Sequence, residues 1–392
     1  METWVGEIRR HLKEDLIPFW EGLKDLTYGG YYGYLDYDLT LDKKAEKGCI
    51  LNSRILWFFS NAYQLFGEEH LKESAHHAYC FLKEHCLDKE YGGIYWSVAY
   101  DGQVKDDTKH TYNQAFAVYA LASYYDAVKD KEALMLACNL QKLIEERCTD
   151  AYGYLEAFDR SFAPVDNEKL SENGVIAEKT MNTLLHLIEA YTELYRVKKD
   201  EAVGQRIRYM LGIFAEKVYN RELGRQEVFF DKTWHSLIDL YSYGHDIETT
   251  WLVDRALTVL AEPVWSERIQ PMTEEITKNI YEHVLEKDAM PNEAENGVRD
   301  ETRVWWVQAE AIVGFVNGYE KNKENQHYLE AAKNIWSYIR TTMIDKRSGS
   351  EWFWSVEKDG TPNKKPIVEP WKCPYHNGRM CMEVIRRLGD DT

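Results

Sequence analysis

The sequence has little proline, no long apolar run and no block of like charges. Its 392 residues include nine prolines, too few for long disordered linkers. The longest apolar runs, such as residues 55–59, are much shorter than a membrane span requires. Residues 1–20 lack the apolar centre of a signal peptide and place Ile8, Leu12 and Leu16 near one face of a helix. We therefore expect a cytoplasmic protein with no membrane partner.

A net basic charge, a disulfide-like cysteine spacing and nucleotide motifs are also missing. The formal net charge of -18 argues against a nucleic-acid partner, which needs a basic surface. Seven cysteines, an odd number without disulfide-like spacing, fit a reducing compartment. Gly29-Gly30 precedes aromatic residues, and no phosphate loop or dinucleotide fingerprint follows. The sequence therefore predicts no cofactor.

Aromatic residues, in contrast, are abundant. The chain has 13 Trp and 27 Tyr. Flat rings stack on the apolar face of a pyranose, while their N–H and O–H groups bond to hydroxyls. Such a composition raises the expectation of a carbohydrate site but does not establish one.

Helical periodicity dominates the chain, and the helical segments are of two kinds. One kind carries a single apolar stripe, as in residues 326–340, where Ala332 and Trp336 keep the helical spacing. The other kind, such as residues 115–125, is apolar on almost every side and must be buried on every side. Stripe-like segments lie near 2–21, 70–86, 131–147, 201–218, 266–286 and 326–343, and their partners follow near 53–66, 111–126, 180–196, 246–260, 305–320 and 376–388.

The alternation repeats every sixty to seventy residues, roughly, which indicates a repeat architecture. Short Gly- and aromatic-rich stretches recur between the two helix kinds and read as small hairpins; they begin at Gly29, Tyr91, Tyr152 and Ser348. The sequence therefore predicts an all-α fold, an (α/α)6 barrel of six inner and six outer helices with short β-hairpins at one end. We expect a single domain over residues 1–392.

Polar and aromatic residues collect where the predicted inner helices begin. These clusters are Asn52-Ser53-Arg54; His110, Tyr112 and Asn113; Asn182 and His186; residues 243–248; Trp305-Trp306 with Glu310; and residues 371–379. In a closed ring of parallel inner helices these ends converge on one mouth and describe a pocket. The positive ends of the helix dipoles favour negative charge that develops there.

Three histidines, His186, His245 and His376, belong to these clusters. Any one of them, taken alone, could equally well be a hydrogen-bonded structural residue or a functional one. Together at one mouth they favour proton transfer, because an imidazole titrates near neutral pH.

Two other chemistries use the same clusters. His245 with Glu248, or Cys373 with His376, has a spacing that could bind a metal, but neither has a second ligand pair, so we predict no metal site. Asp246, Glu248 or Glu310 could instead serve as the acid or base of a glycoside hydrolase.

Long motifs in this chain resemble the N-acylglucosamine 2-epimerase superfamily. They are Ser-Tyr-Gly-His-Asp-Ile-Glu at 242–248, Arg-Val-Trp-Trp-Val-Gln-Ala-Glu at 303–310 and Trp-Lys-Cys-Pro-Tyr-His-Asn-Gly-Arg at 371–379. The likeness begins near residues 17–20 and covers nearly the whole chain. It implies an (α/α)6 barrel that inverts C2 at the reducing end of a β-1,4-linked disaccharide such as cellobiose or lactose, through a cis-enediol(ate).

The resemblance also implies roles for individual residues. His376 matches the group that handles the C2 proton, and His245 matches its acid–base partner, also linked to ring opening. Arg54, Asn182 and His186 match groups that bond the open-chain oxygens; Glu248 and Glu310 match carboxylates that orient histidines or hydroxyls; Trp306 and Trp371 match stacking platforms, Trp371 for the non-reducing sugar; and Tyr112 matches a substrate-binding group.

The chemistry agrees with these residue types. A C2 proton beside an aldehyde is weakly acidic, and a cation such as Arg54 stabilises the enediolate more than the ground state. An aldose–ketose isomerase and a monosaccharide 2-epimerase of the same superfamily remain open, as do a hydrolase and a non-catalytic sugar-binding protein. No long exposed apolar stripe requires a dimer, so we expect a monomer.

Overall fold

A computed structural model describes residues 3–170 and 173–389. Helices dominate this part of the chain. They are α1 (Trp4–His11), α2 (Ile17–Glu21), α3 (Cys49–Phe66), α4 (Glu69–Phe81), α5 (Thr111–Val128), α6 (Lys131–Arg147), α7 (Met181–Lys198), α8 (Glu201–Ile213), α9 (Tyr243–Leu260), α10 (Pro263–Asn279), α11 (Trp305–Lys321), α12 (Gln326–Tyr338) and α13 (His376–Leu388). Five-residue π-helical turns extend several outer helices, at Leu12–Leu16, Leu82–Cys86, Phe214–Val218, Ile280–Val284 and Ile339–Met343.

Six helices form a closed inner ring, which confirms the predicted barrel. In chain order α3, α5, α7, α9, α11 and α13 each pack against the next, and α13 returns to α3. The inner helices are buried on every side: in α5 each residue from Thr111 to Tyr124 is buried. In the outer helix α12 only one face is buried, through residues such as Ile335 and Trp336. None of the described helices is both long and apolar enough to cross a membrane.

The pairing of outer with inner helices differs from the order inferred from the sequence. Each of α4, α6, α8, α10 and α12 packs mainly on the inner helix that precedes it, and α1 packs on α13 at the opposite end of the chain. The reason is the length of the connections. Two residues, Gly67 and Glu68, join α3 to α4, and such a short link makes the two helices antiparallel neighbours.

Short antiparallel strands surround the end of the ring where the inner helices begin. They are β1 (Lys47–Gly48), β2 (Ser97–Val98), β3 (Val104–Asp106), β4 (Lys109–His110), β5 (Thr149–Asp150), β6 (Gly153–Tyr154), β7 (Ala157–Phe158), β8 (Pro164–Val165), β9 (Lys179–Thr180), β10 (Tyr219–Asn220), β11 (Arg225–Gln226), β12 (Phe229–Phe230), β13 (Leu240–Ser242), β14 (Glu293–Glu295), β15 (Val298–Asp300), β16 (Arg303–Val304) and β17 (Ser355–Val356). They form the sheets β1-β2-β3, β4-β7-β8, β5-β6, β9-β12, β10-β11, β13-β14-β15 and β16-β17.

The predicted hairpins are present but smaller than expected. Only the stretch at Tyr152 lies in a two-strand hairpin, β5-β6. The other three close by single bridges, Lys24 to Tyr31, Leu87 to Ile94 and Ile344 to Trp352. Pairs such as β1-β2 and β16-β17 instead join neighbouring repeats around the mouth.

Buried ion pairs attach these turns to the inner helices. Lys47 Nζ lies 2.7 Å from Asp25 Oδ2, and Lys109 Nζ lies 3.0 Å from Asp88 Oδ2. Each lysine stands two residues before an inner helix, and each aspartate stands in the turn after an outer helix. Because breaking such a pair leaves a buried charge, these contacts hold the helix N-termini in a defined place.

Candidate active site

The N-terminal ends of the inner helices enclose a cavity of about 270 Å³. All six inner helices contribute to its wall. The sequence-predicted residues that line it are Arg54 of α3, Tyr112 of α5, Asn182 and His186 of α7, His245 and Glu248 of α9, Trp306 of α11, His376 of α13, and Trp371 from the loop before α13. Glu310 is the exception, because it lies behind His376 rather than on the wall.

The buried carboxylate of Glu310 fixes the orientation of the His376 imidazole. Its Nδ1 lies 2.7 Å from Glu310 Oε1, and the indole N–H of Trp251 donates to Glu310 Oε2 at 2.9 Å. Because a carboxylate only accepts, Nδ1 carries the proton and Nε2 is left free as a base. Burial, followed by the charge of Arg379, holds the pKa of His376 well below its usual value. His376 is therefore a neutral imidazole at pH 7.

His245 is held differently. Its Nδ1 lies 2.7 Å from the hydroxyl of Ser242, at the end of β13. Burial, followed by electrostatic repulsion from His186 and His376 in their protonated forms, lowers the pKa of His245 to about 3. The indole of Trp306 lies against both imidazoles, with ring centroids 4.7 Å from His245 and 5.5 Å from His376. Two neutral imidazoles thus share one aromatic neighbour.

A third imidazole, His186, has its own carboxylate. Its Nδ1 lies 2.8 Å from Glu189 Oε2, and the hydroxyl of Tyr375 donates to the same carboxylate at 2.6 and 2.7 Å. The sequence analysis did not single out Glu189. Its position three residues after His186, on the same helix face, was the signal that could have found it.

One guanidinium joins the carboxylates of this region. Arg379 donates through Nη1 to Glu189 and through Nη2 to Glu248 and Glu310, and all four side chains are buried. Although burial opposes it, the charge of Arg379 lowers the pKa of Glu189 to about 2. Burial, followed by the charge of Glu310, raises the pKa of Glu248 well above its usual value. Glu248 therefore retains a proton more readily than its neighbours.

Glu248 and Glu310, together with His376, could also be considered as ligands of a metal ion. Ligand atoms of Glu248, Glu310 and His376 lie within 4.8 Å of one another. The guanidinium of Arg379 already bonds both carboxylates and supplies the positive charge that they need. We therefore assign these residues to an organic ion-pair network.

Arg54 is a buried cation of a different kind. Its Nη2 donates to the Tyr112 hydroxyl at 2.8 Å, and Nη1 approaches the Trp371 carbonyl at 3.5 Å. Its guanidinium carbon lies 4.2 Å from the ring centroid of Phe116. Within the described part of the chain Arg54 forms no ion pair with a carboxylate, although it is only 2% exposed. Its charge is thus available to an anion in the cavity.

Several polar atoms of the wall have no hydrogen-bond partner among the described residues. They include Arg54 Nε, Asn182 Oδ1 and Glu248 Oε2. A buried polar atom without a partner costs about 1–3 kcal/mol, so such atoms mark groups that a ligand satisfies. Donors and acceptors beside Trp306 and Trp371 suit a ligand rich in hydroxyl groups with an apolar face.

Loops, short strands and the first residue of α11 supply the rest of the wall, and the sequence analysis predicted few of these residues. These residues are Lys169, Leu170, Thr180, Val228, Phe229, Leu240, Ser242, Asn292, Glu293, Val304, Trp305 and Trp354. Ser242, Val304 and Trp305 stand in motifs noted in the sequence, but the others stand in segments without a helical period. Only the course of each loop decides which of its side chains face the cavity.

Comparison with known proteins gives consistent matches over nearly the whole chain. Residues 30–378 match the family model described as N-acylglucosamine 2-epimerase (GlcNAc 2-epimerase). The chain is 53% identical over 384 residues to the cellobiose 2-epimerase of Ruminococcus albus, which covers 98% of each sequence. The crystal structure of a sugar epimerase from a ruminal bacterium has a TM-score of 0.97 at 52% identity, covering 98% of this chain and 99% of that one. The cellobiose 2-epimerase structure from Bacillus thermoamylovorans has a TM-score of 0.95 at 49% identity, covering 99% and 100%.

Proposed function

Because the chain belongs to the N-acylglucosamine 2-epimerase family and is a carbohydrate epimerase of the isomerase class, we propose that it is a cellobiose 2-epimerase. In this proposal it interconverts the reducing-end glucose and mannose of cellobiose, and lactose with epilactose. One observation supports it above the others. The neutral imidazoles of His245 and His376 face a cavity that also holds Arg54, a cation that pairs with no carboxylate of residues 3–170 and 173–389.

The proton transfers follow from these positions. After the sugar ring opens, the free Nε2 of His376 removes the C2 proton, and the electron pair forms the C1–C2 double bond of an enediolate. The negative charge then develops on the C1 oxygen, where Arg54 stabilises it more than it stabilises the aldehyde. A proton delivered to the opposite face of C2 completes the inversion. It comes from His376 after the intermediate turns, or from His245 once that imidazole has taken up the C1 hydroxyl proton during ring opening.

The remaining wall residues hold the sugar in this scheme. His245 with Glu248 assists ring opening, since the raised pKa of Glu248 favours its protonated, donating form. Asn182 and His186 bond the open-chain oxygens. Trp306, Trp371 and Tyr112 contact the two rings, with Trp371 at the non-reducing sugar.

The direct test incubates the protein with cellobiose in D2O, without added metal or nucleotide. We expect glucosylmannose that carries one solvent deuterium at C2, seen by chromatography and NMR, and epilactose when lactose replaces cellobiose. Released monosaccharide would instead identify a glycoside hydrolase. A ketose as sole product would identify an aldose–ketose isomerase. Turnover restricted to free mannose or glucose would identify a monosaccharide epimerase. Saturable binding without any product would identify a non-catalytic binding protein.

Gly244 provides a second test, because it packs directly against the Trp306 indole. A Cβ at this position would lie 2.4 Å from Trp306 Cη2 and 2.5 Å from Trp306 Cζ3. Gly244→Ala therefore displaces the indole that contacts both imidazoles, and we expect kcat/KM for cellobiose to fall about 100-fold, as small misplacements at a reacting centre do. Steady-state kinetics and circular dichroism measure the effect.

Gly212→Ala in α8 is the matched control, because a Cβ there meets no atom within 4 Å. It should leave the kinetics unchanged. Wild-type kcat/KM in Gly244→Ala would contradict the placement of Trp306.

A further inference from the structure

One stretch of the cavity wall depends on a single buried residue. In residues 163–170 only Asn167 is buried, at 2% exposure, whereas the others are exposed or half-buried. Lys169 and Leu170 of the same stretch nevertheless line the cavity. Leu170 also packs against the hydrophobic core, so the buried polar contacts that position this wall are those of Asn167.

Asn167 is held by His110, the N-cap residue of α5. The backbone N–H of Tyr112 donates to His110 Nδ1 at 3.3 Å, so the ring proton resides on Nε2. That Nε2–H donates to Asn167 Oδ1 at 2.9 Å, and the same oxygen accepts the backbone N–H of Leu170 at 3.3 Å. Burial lowers the pKa of His110 to about 4, which keeps the ring neutral in this role. One imidazole thus connects the backbone of Tyr112 to the wall.

The wall stands at the Trp371 end of the cavity. Lys169 Nζ lies 4.6 Å from the ring centroid of Trp96, whose ring centroid lies 5.8 Å from that of Trp371. His245 and His376 instead contact Trp306, and no ring contact among the described residues joins either imidazole to Trp96 or Trp371. A second contact of this stretch is the ion pair of Lys169 with Asp106. Both side chains are 31% exposed, and ion pairs that solvent reaches contribute little to stability.

We propose that His110 and Asn167 are positioning residues that hold residues 166–170 against the non-reducing sugar of the substrate. They set the affinity for a disaccharide and take no part in proton transfer. The inference rests on the proposed function, because it assigns the Trp371 end of the cavity to the second sugar ring.

Two substitutions break the contact in different ways. Asn167→Ala removes the acceptor. His110→Asn keeps a side chain that caps α5 but is too short to reach Asn167. In both we expect KM and Kd for cellobiose to rise about tenfold, with kcat within about twofold of wild type, as loss of one buried hydrogen bond implies. Amide hydrogen exchange in residues 166–170 should become faster, and the Kd for glucose alone should not change.

Ser161→Ala, in the turn between β7 and β8, is the matched control, since among the described residues the Ser161 hydroxyl makes only an exposed hydrogen bond to Asp159. It should behave as wild type. Unchanged Kd and exchange in both variants, or a lower kcat at unchanged KM, would overturn the inference, and so would loss of the folded state in both. Calorimetric Kd and exchange need no turnover, so they decide this point even if cellobiose is bound but not converted.

Discussion

His376→Ala is expected to lower kcat for C2 epimerisation of cellobiose about 10³- to 10⁴-fold, the upper part of the range for a lost general base. No other imidazole of the described site combines a carboxylate-fixed Nδ1 from Glu310 with contact to Trp306. The fold should survive, because Glu310 keeps its bonds to Trp251 and Arg379 after the imidazole is gone. Product formation by chromatography and the thermal unfolding midpoint measure the two effects.

His235→Ala provides the matched control, since the side chain of His235 is 80% exposed and lies in a loop. It should retain wild-type turnover. Near-normal turnover in His376→Ala would show that another group removes the C2 proton.

The companion substitution His245→Ala separates the roles of the two histidines. If His376 is the base and His245 acts solely as the opposing acid, with no part in ring opening, this variant still exchanges the C2 proton of cellobiose with D2O but forms no glucosylmannose. Loss of both exchange and product would place His245 at ring opening, before the proton is removed. NMR of recovered substrate distinguishes the two outcomes.

Arg379→Met is expected to have the largest effect on stability. The substitution leaves Glu189, Glu248 and Glu310 buried without their shared cation, and removal of one partner from a buried ion pair costs about 3–5 kcal/mol. Activity should fall as well, because Glu189 and Glu310 orient His186 and His376. Urea unfolding monitored by tryptophan fluorescence gives the free energy of unfolding.

The pH dependence of the same variant has a definite sign. In the wild-type protein the lowered pKa of Glu189 stabilises the fold above its unfolded pKa, and this contribution is lost as pH falls toward about 2. Without Arg379 the buried carboxylates take up protons more readily when folded, so the deficit in stability should shrink as pH falls from 7 toward 5. A deficit that grows over this range would contradict the ion-pair network.

Arg340→Met is the control for Arg379→Met. Arg340 pairs with Glu7 at 2.8 Å, but its side chain is 48% exposed. The exposed pair should contribute less than about 1 kcal/mol. A similar loss in both variants would show that the effect is not specific to the buried network.

The barrel was predictable because its signal is local. Helices that are apolar on all sides have no stable place except the interior, and their alternation with one-sided helices implies an inner and an outer layer. Because the inner helices are parallel and form a closed ring, the polar residues at their six N-terminal ends meet at one end of the barrel. This reasoning brought nine of the predicted residues to one cavity, as the structure shows.

The sequence by itself therefore determined the ring, its polar mouth and the three histidines. Only the tertiary structure decided which carboxylate serves which imidazole. Glu310 meets His376 across 66 residues, and Glu189 meets Arg379 across 190. The structure also shows that Glu310, predicted to line the cavity, lies behind its wall, and that Lys169 and Leu170 line the cavity. Such contacts depend on the packing of distant helices and on the course of loops, and no periodicity within one segment encodes either.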